Sequence, residues 1–178
     1  MTDSSVGSKT ATGPRVVLDP MTKEEFGPYL EAGIRDFAKQ KVTSGEWSQY
    51  EAVALSRADH DRLLPDGVDT PDQYLYTVRD AASGEEVATI WLARRRKADR
   101  VEGYVYDIEV HEKHRGRGYG RATMLAGIEK ARELGAETVG LHVFGHNAPA
   151  RALYRSLGFV ETNISMSLHL QPITPGLS

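Results

Sequence analysis

"YVYDIEV" (104–110), "HRGRGYGRA" (114–122) and "TMLAGIEKARELGA" (123–136) lead from an apolar, alternating stretch through a glycine- and arginine-rich loop into a helical pattern. The loop packs three glycines and three arginines into nine positions. A strand that turns through glycines into a helix exposes several backbone N–H groups with no side chain in the way. The helix adds the positive end of its dipole, so the junction reads as an anion cradle. Arg115, Arg117 and Arg121 surround it with guanidinium groups suited to more than one phosphate. With Gly116, Gly118 and Gly120 in place, a dinucleotide fingerprint would need its third glycine where Arg121 stands, and no Gly-Lys-Ser/Thr follows. Neither common nucleotide motif fits.

Working outward, the helix after the loop carries Leu125, Ile128, Ala131 and Leu134 as its apolar face and stops at Gly135. "ETVGLHVF" (137–144) reads as the next strand. "NAPARALYRSLGF" (147–159) opens a helix on Asn147 with a proline soon after, and "NISMSLHL" (163–170) alternates as a closing strand. Upstream, "QYLYTVRD" (73–80), "EEVATIWLARR" (85–95) and "EGYVYDIEV" (102–110) make an antiparallel meander, with Arg94, Arg95, Arg96 and Lys97 read as a solvated hairpin loop. "RVVLDP" (15–20) suits an opening strand. In "MTKEEFGPYLEAGIRDFAKQKV" (21–42), Thr22 and Glu25 form a capping-box pattern, while Gly27-Pro28 and Gly33 read as breaks. The segment 44–67 reads as a second helix with Ser48 as cap, Glu51 three positions on, and Ala54, Leu55, Leu63 and Leu64 as its face. The order is β-α-α-β-β-β-α-β-α-β, a mixed α/β (α+β) sheet with the glycine loop at a strand-to-helix junction.

Composition narrows the class. A chain of 178 residues, 40% hydrophobic and 26% charged, suits one domain, expected over 15–170 between a disordered polar tail (1–14) and a C-terminal tail (171–178). A net charge of -3 argues against nucleic acid as partner. The absence of cysteine excludes disulfides, thiolate metal sites and a cysteine nucleophile. His142 and His146 are four apart in a strand leading into a loop, share no helical face, and have no carboxylate pair nearby in sequence, so no metal is expected. No apolar run approaches a membrane span and the first residues lack a signal-peptide core; a soluble, cytoplasmic protein is the expectation.

Arg115, Gly118 and Gly120 stand in the three defining positions of Arg/Gln-x-x-Gly-x-Gly/Ala, and "LHVFGHNAPARALYRSLGF" supplies an Asn that begins a helix, a Tyr within it and a Gly-Phe that ends it. On these motifs the chain resembles the GNAT superfamily of N-acetyltransferases, in its small bacterial form, over residues 73–168. The resemblance implies a central, mostly antiparallel sheet of about six to seven strands flanked by about four helices. It implies acetyl-CoA as cosubstrate, its pyrophosphate on Arg115, Gly116, Arg117, Gly118, Tyr119, Gly120, Arg121 and Ala122. Pantetheine would pair with backbone at Ile108 and Val110 beside Glu109, and Asn147 and Tyr154 would complete the cofactor side. A backbone N–H near Val110 would polarise the thioester carbonyl and Tyr154 would act as acid at the sulfur, the alternative for Tyr154 being a half-buried core tyrosine.

For the base, the resemblance offers His142 assisted by Tyr104, as in some peptide N-terminal acetyltransferases of the family. A histidine merely packed on its strand is the alternative. Glu109 competes, although simple alternation puts it on the face opposite Tyr104, Tyr106 and Ile108 unless a bulge intervenes. The acceptor, a small-molecule or peptide amine, would meet residues 33–72, where Trp47 serves as helix staple or acceptor wall and Glu46, Asp59 and Asp61 hint at a cationic amine. Dimerisation through the terminal strand or a sheet edge is open. A non-catalytic acyl-CoA-binding or sensing domain of the same fold is the competing reading.

Overall fold

The computed structural model describes residues 13–168. Most of the expected N-terminal tail, the end of the expected last strand and the C-terminal tail therefore lie outside the described residues. Five strands form one sheet in sequence order: β1 (Val16–Pro20), β2 (Gln73–Asp80), β3 (Glu86–Lys97), β4 (Arg100–Val110) and β5 (Thr138–Leu141). The first four pair antiparallel and β5 joins β4 in parallel, so the expected meander is present and the class is the mixed α/β one. Four helices complete it: α1 (Lys23–Thr43), α2 (Ala52–Leu63), α3 (Tyr119–Glu133) and α4 (Ala148–Ser156).

Two apolar layers sandwich the sheet. On one face Val78, Val87, Ile90, Leu92 and Val105 meet Met124 and Ala131 of α3, with Tyr154 and Leu157 of α4 alongside. On the other, Met21, Leu64, Leu75 and Trp91 gather Phe26 and Tyr29 of α1 and Tyr106 of β4. Gly103 lets α3 settle this close to β4: a Cβ there would lie 2.6 Å from the Cβ of Ala131.

Several expectations need correction. α1 runs unbroken through Gly27-Pro28 and Gly33, because the Thr22–Glu25 capping box secures its start and a proline in the second turn removes only one helical hydrogen bond. α2 begins at Ala52, with the Ser48 carbonyl, not its hydroxyl, accepting from Ala52 N–H at 3.1 Å. Its buried side carries Ala52 and Ser56, the Ser56 hydroxyl donating to the Ile34 carbonyl at 2.8 Å, while Leu55 faces outward. In α3 the core takes Met124 and leaves Leu125 48% exposed.

Arg94–Lys97 belong to β3, not to a loop, and Arg95 and Lys97 grip the buried Glu102 at 2.6 and 2.9 Å. The sheet has five strands among the described residues instead of six to seven: β5 stops at Leu141, and residues 163–168 form no strand. In that segment Ile164, Met166 and Leu168 are 72%, 91% and 83% exposed.

Candidate active site

The glycine loop sits where β4 ends. Gly116 and Gly118 adopt φ of 74° and 87°, left-handed backbone that glycine reaches without the strain of a Cβ. Gly118 caps α3 with no side-chain bond, so the first N–H groups of that helix have no side-chain cap and no helical acceptor and point outward together. A Cβ on Gly118 would also press on Pro14 at 3.1 Å. The loop is braced from below by the Tyr119 hydroxyl, which donates to Asp80 at 2.9 Å, and by buried His114, edge-on to the Tyr119 ring. Arg115 turns back to donate to the Val110 carbonyl at 3.0 Å and lies 3.5 Å from Glu109, while Arg121 donates to Ser156 of α4 at 2.9 Å. Arg117 is exposed beside the bare N–H groups. The site thus sets a row of donors beside a guanidinium that pairs with no carboxylate among the described residues, an arrangement suited to a polyanion.

Beside the loop, β4 and β5 part. β5 pairs with β4 only over Glu102–Val105, whereas β3 follows β4 to Val110. The His111 N–H donates to the Val87 carbonyl of β3 at 2.9 Å, so by alternation the backbone groups of Ile108 and Val110 turn away from β3 toward the gap, where Arg115 holds the Val110 carbonyl. A bulge decides what surrounds it. The β3–β4 register passes from Trp91↔Asp107 to Leu92↔Val105, leaving Tyr106 as the extra residue. Ile108 and Val110 therefore pack into the α3-side core while Tyr106 stacks on Trp91 at 4.6 Å on the opposite face. The plain alternation read from sequence fails here: Ile108 leaves the face of Tyr106, and Glu109, between Ile108 and Val110, joins it.

Tyr154 comes from α4 and packs against the α3-side core beside Phe159, and the start of that helix is built as expected: the Asn147 side chain accepts from Ala150 N–H at 3.2 Å. Burial, with the charge of Asp107, pushes the Tyr154 hydroxyl up to about 12, so it stays protonated. From the other side the Tyr29 hydroxyl of α1 donates to Asp107 Oδ2 at 3.1 Å. Burial is the main force raising the Asp107 carboxyl to about 6; Glu109 and Asp36 add to it, and the Tyr29 hydroxyl and Ile108 N–H oppose it. Sequence reasoning named neither Tyr29 nor Asp107. An aspartate in the middle of a strand pattern, where that residue is disfavoured, was the available signal.

The acceptor-side candidates lie further out. Tyr104 is edge-on to Tyr106 at 4.8 Å and covered by the Arg95 guanidinium at 3.5 Å; burial raises its hydroxyl. His142 falls just past β5, exposed, with its ring against Phe144 at 5.0 Å, and no hydrogen bond joins it to Tyr104 among the described residues. Trp47 packs edge-on to Phe37 of α1 at 5.6 Å, the staple arrangement. Glu46 and Asp59 are engaged by Lys41 and Arg62. No helix among the described residues is long and apolar enough to cross a membrane.

Comparison with known proteins agrees with this architecture. The model of the acetyltransferase (GNAT) family matches residues 39–159. Two uncharacterized N-acetyltransferases of Bacillus subtilis (strain 168), YdgE and YycN, are each 35% identical to the chain; the matches span 86% of it and 97% of YdgE, and 87% of it and 99% of YycN. The crystal structure of B. subtilis YycN superposes with a TM-score of 0.83, covering 88% of this chain and 99% of that one.

Proposed function

The chain belongs to the acetyltransferase (GNAT) family, and on that footing we propose that it moves an acetyl group from acetyl-CoA to a primary amine by direct attack within a ternary complex. The observations that carry this reading lie near the end of β4: bare N–H groups at the start of α3, the β4 edge at Ile108 and Val110 that β5 does not reach, and the protonated Tyr154 of α4, close enough for the Asp107 charge to raise its hydroxyl.

Each part has a job. The N–H groups of Gly118 through Arg121, with Arg117, hold the pyrophosphate of acetyl-CoA, and Gly120 and Ala122 keep the helix start narrow enough for it to approach. Ile108 and Val110 bind the pantetheine arm as an added strand binds a sheet edge, and the Val110 N–H polarises the thioester carbonyl. Tyr154 protonates the sulfur as it leaves. Asn147, while capping α4, fixes the orientation of that helix and so of Tyr154. Tyr104 and His142 line the acceptor side, with Glu109 nearer the loop.

Calorimetric titration with acetyl-CoA, followed by thiol release across peptide α-amines, lysine, spermidine and kanamycin, tests the reading. Binding together with amine-dependent thiol release is expected. Binding without release from any amine assigns the chain to the acyl-CoA-sensing alternative, and no binding refutes the loop assignment.

A further inference from the structure

A transferase of this kind needs somewhere to put the proton of the attacking nitrogen. Once the C–N bond begins to form, that nitrogen becomes strongly acidic, and a carboxylate of moderate basicity at the right place takes its proton efficiently. Asp107 is in such a place. It follows the β4 bulge, beside the gap where β4 and β5 part, bonded to Tyr29 of α1 on one side and close enough to Tyr154 of α4 for its charge to be felt there. No ion pair reaches it among the described residues, although the neighbouring Glu109 has Arg115 at 3.5 Å. The titratable groups that face it are Tyr29 and Asp36 from α1, Glu109 on β4 itself and Tyr154 from α4; none is a cation. A partly buried carboxylate among acids and phenols is an arrangement that stability alone does not explain.

We propose that Asp107 is the general base of the transfer, held by the Tyr29 hydroxyl and taking the proton of the acceptor nitrogen as Tyr154 gives its own to the departing sulfur. This rests on the acetyl-transfer reading above. The C–N bond forms and the C–S bond breaks, the nitrogen's proton passes to the Asp107 carboxylate, and the Tyr154 proton passes to the thiolate. Water then returns the Asp107 proton to the Tyr154 phenolate, so nothing but amide and thiol is released. The two groups are driven apart in basicity, the carboxyl to about 6 and the phenol to about 12, which is the divergence an acid–base pair needs at neutral pH. Tyr29 matters because its hydrogen bond favours the ionised carboxylate; it is a positioning residue that keeps Asp107 ready below neutral pH.

The test uses the full chain, acetyl-CoA and whichever probe amine gives the fastest thiol release. Asp107→Asn is expected to lower kcat by about 100-fold or more, within the range of general-base removal, while calorimetric affinity for acetyl-CoA stays within about twofold. In the unsubstituted protein, kcat/KM is expected to fall on the acid side with a limb near pH 6, as a base of this raised pKa would give. Tyr29→Phe removes a bond to the charged form and moves that limb to higher pH without abolishing turnover, a change that a merely structural role would not produce. Full turnover by Asp107→Asn overturns the proposal and leaves the acetyltransferase reading standing. An acid limb lost in His142→Ala but kept in Asp107→Asn also overturns it and gives the base to His142. Failure of the unsubstituted protein to bind acetyl-CoA brings down the reading beneath it instead.

Discussion

Asp107→Asn should make the protein more stable at slightly alkaline pH, and the gain should shrink as the pH falls. The carboxyl titrates at about 6 in the fold against 3.8 for a free aspartate, chiefly because burial penalises its charge. An acid whose pKa is raised by folding binds its proton more tightly in the native state. Its contribution is therefore fully present below 3.8 and is lost as the pH climbs through about 6. The gap of roughly two between those values corresponds to about 3 kcal/mol, and relaxation around the charge trims this to about 2–3 kcal/mol. Asparagine has the same shape, can still accept from Tyr29 and carries no charge to desolvate. At pH 8 its melting temperature should exceed that of the unsubstituted protein by about 5–10 °C, at 2–4 °C per kcal/mol for a domain of this size. At pH 5 the native carboxyl is mostly protonated and has regained about 1.4 kcal/mol, so roughly half the advantage disappears. Thermal melts or urea titrations of both proteins at the two pH values measure this. A variant less stable at pH 8, or a gain identical at both pH values, refutes the reasoning.

Other expectations follow from the same geometry. Tyr154→Phe removes only a hydroxyl from a ring packed against the α3-side core; kcat should drop about 100-fold with acetyl-CoA affinity and melting temperature nearly unchanged, whereas equal losses in kcat and affinity would make Tyr154 a binding residue. Gly118→Val places a Cβ at φ 87° and 3.1 Å from Pro14, so calorimetry should show acetyl-CoA affinity down by at least about tenfold, with a stability loss of about 1–3 kcal/mol. Gly103→Val drives side-chain atoms into Ala131 across the β4–α3 contact, and urea titration should show it destabilised by about 1–3 kcal/mol or more, with acetyl-CoA affinity kept in the fraction that folds.

Local signals carried most of the fold. The Thr22–Glu25 box, the Gly135 stop and the Asn147 cap are each satisfied within a few residues of chain, so their sequence patterns could be taken at face value. The meander followed from three β-rich runs and one clear turn. What escaped depends on partners distant in sequence. Which of Met124 or Leu125 enters the core is set by how α3 lies across the sheet, and Ser56 is buried because the Ile34 carbonyl, from another helix, waits for its hydroxyl. The bulge at Tyr106 has no marker in "YVYDIEV", since neither glycine nor proline announces it; it shows only where β3 and β4 fall out of step. One extra residue there reverses the faces of everything after it, which is why plain alternation puts Ile108 and Glu109 on the wrong sides.

Two acids on β4 show how function and structure can be told apart here. Glu102 is nearly buried, and burial alone would raise its carboxyl, yet Lys97 and Arg95 at 2.9 and 2.6 Å more than reverse that and hold it below its usual range. Its charge is answered within the sheet, and the Arg95 that answers it also covers the Tyr104 ring. Asp107 lies five residues on, with no ion-pair partner among the described residues, two acids nearby and a carboxyl pushed the other way. Three local irregularities lie near it: a bulge immediately before it, a strand neighbour that departs at Val105, and a helix start at Gly118 left without a side-chain cap. Each costs stability by itself. Together they leave one gap beside β4; on the acetyl-transfer reading proposed above this is where thioester and amine meet, and a chain selected for stability alone would have closed it.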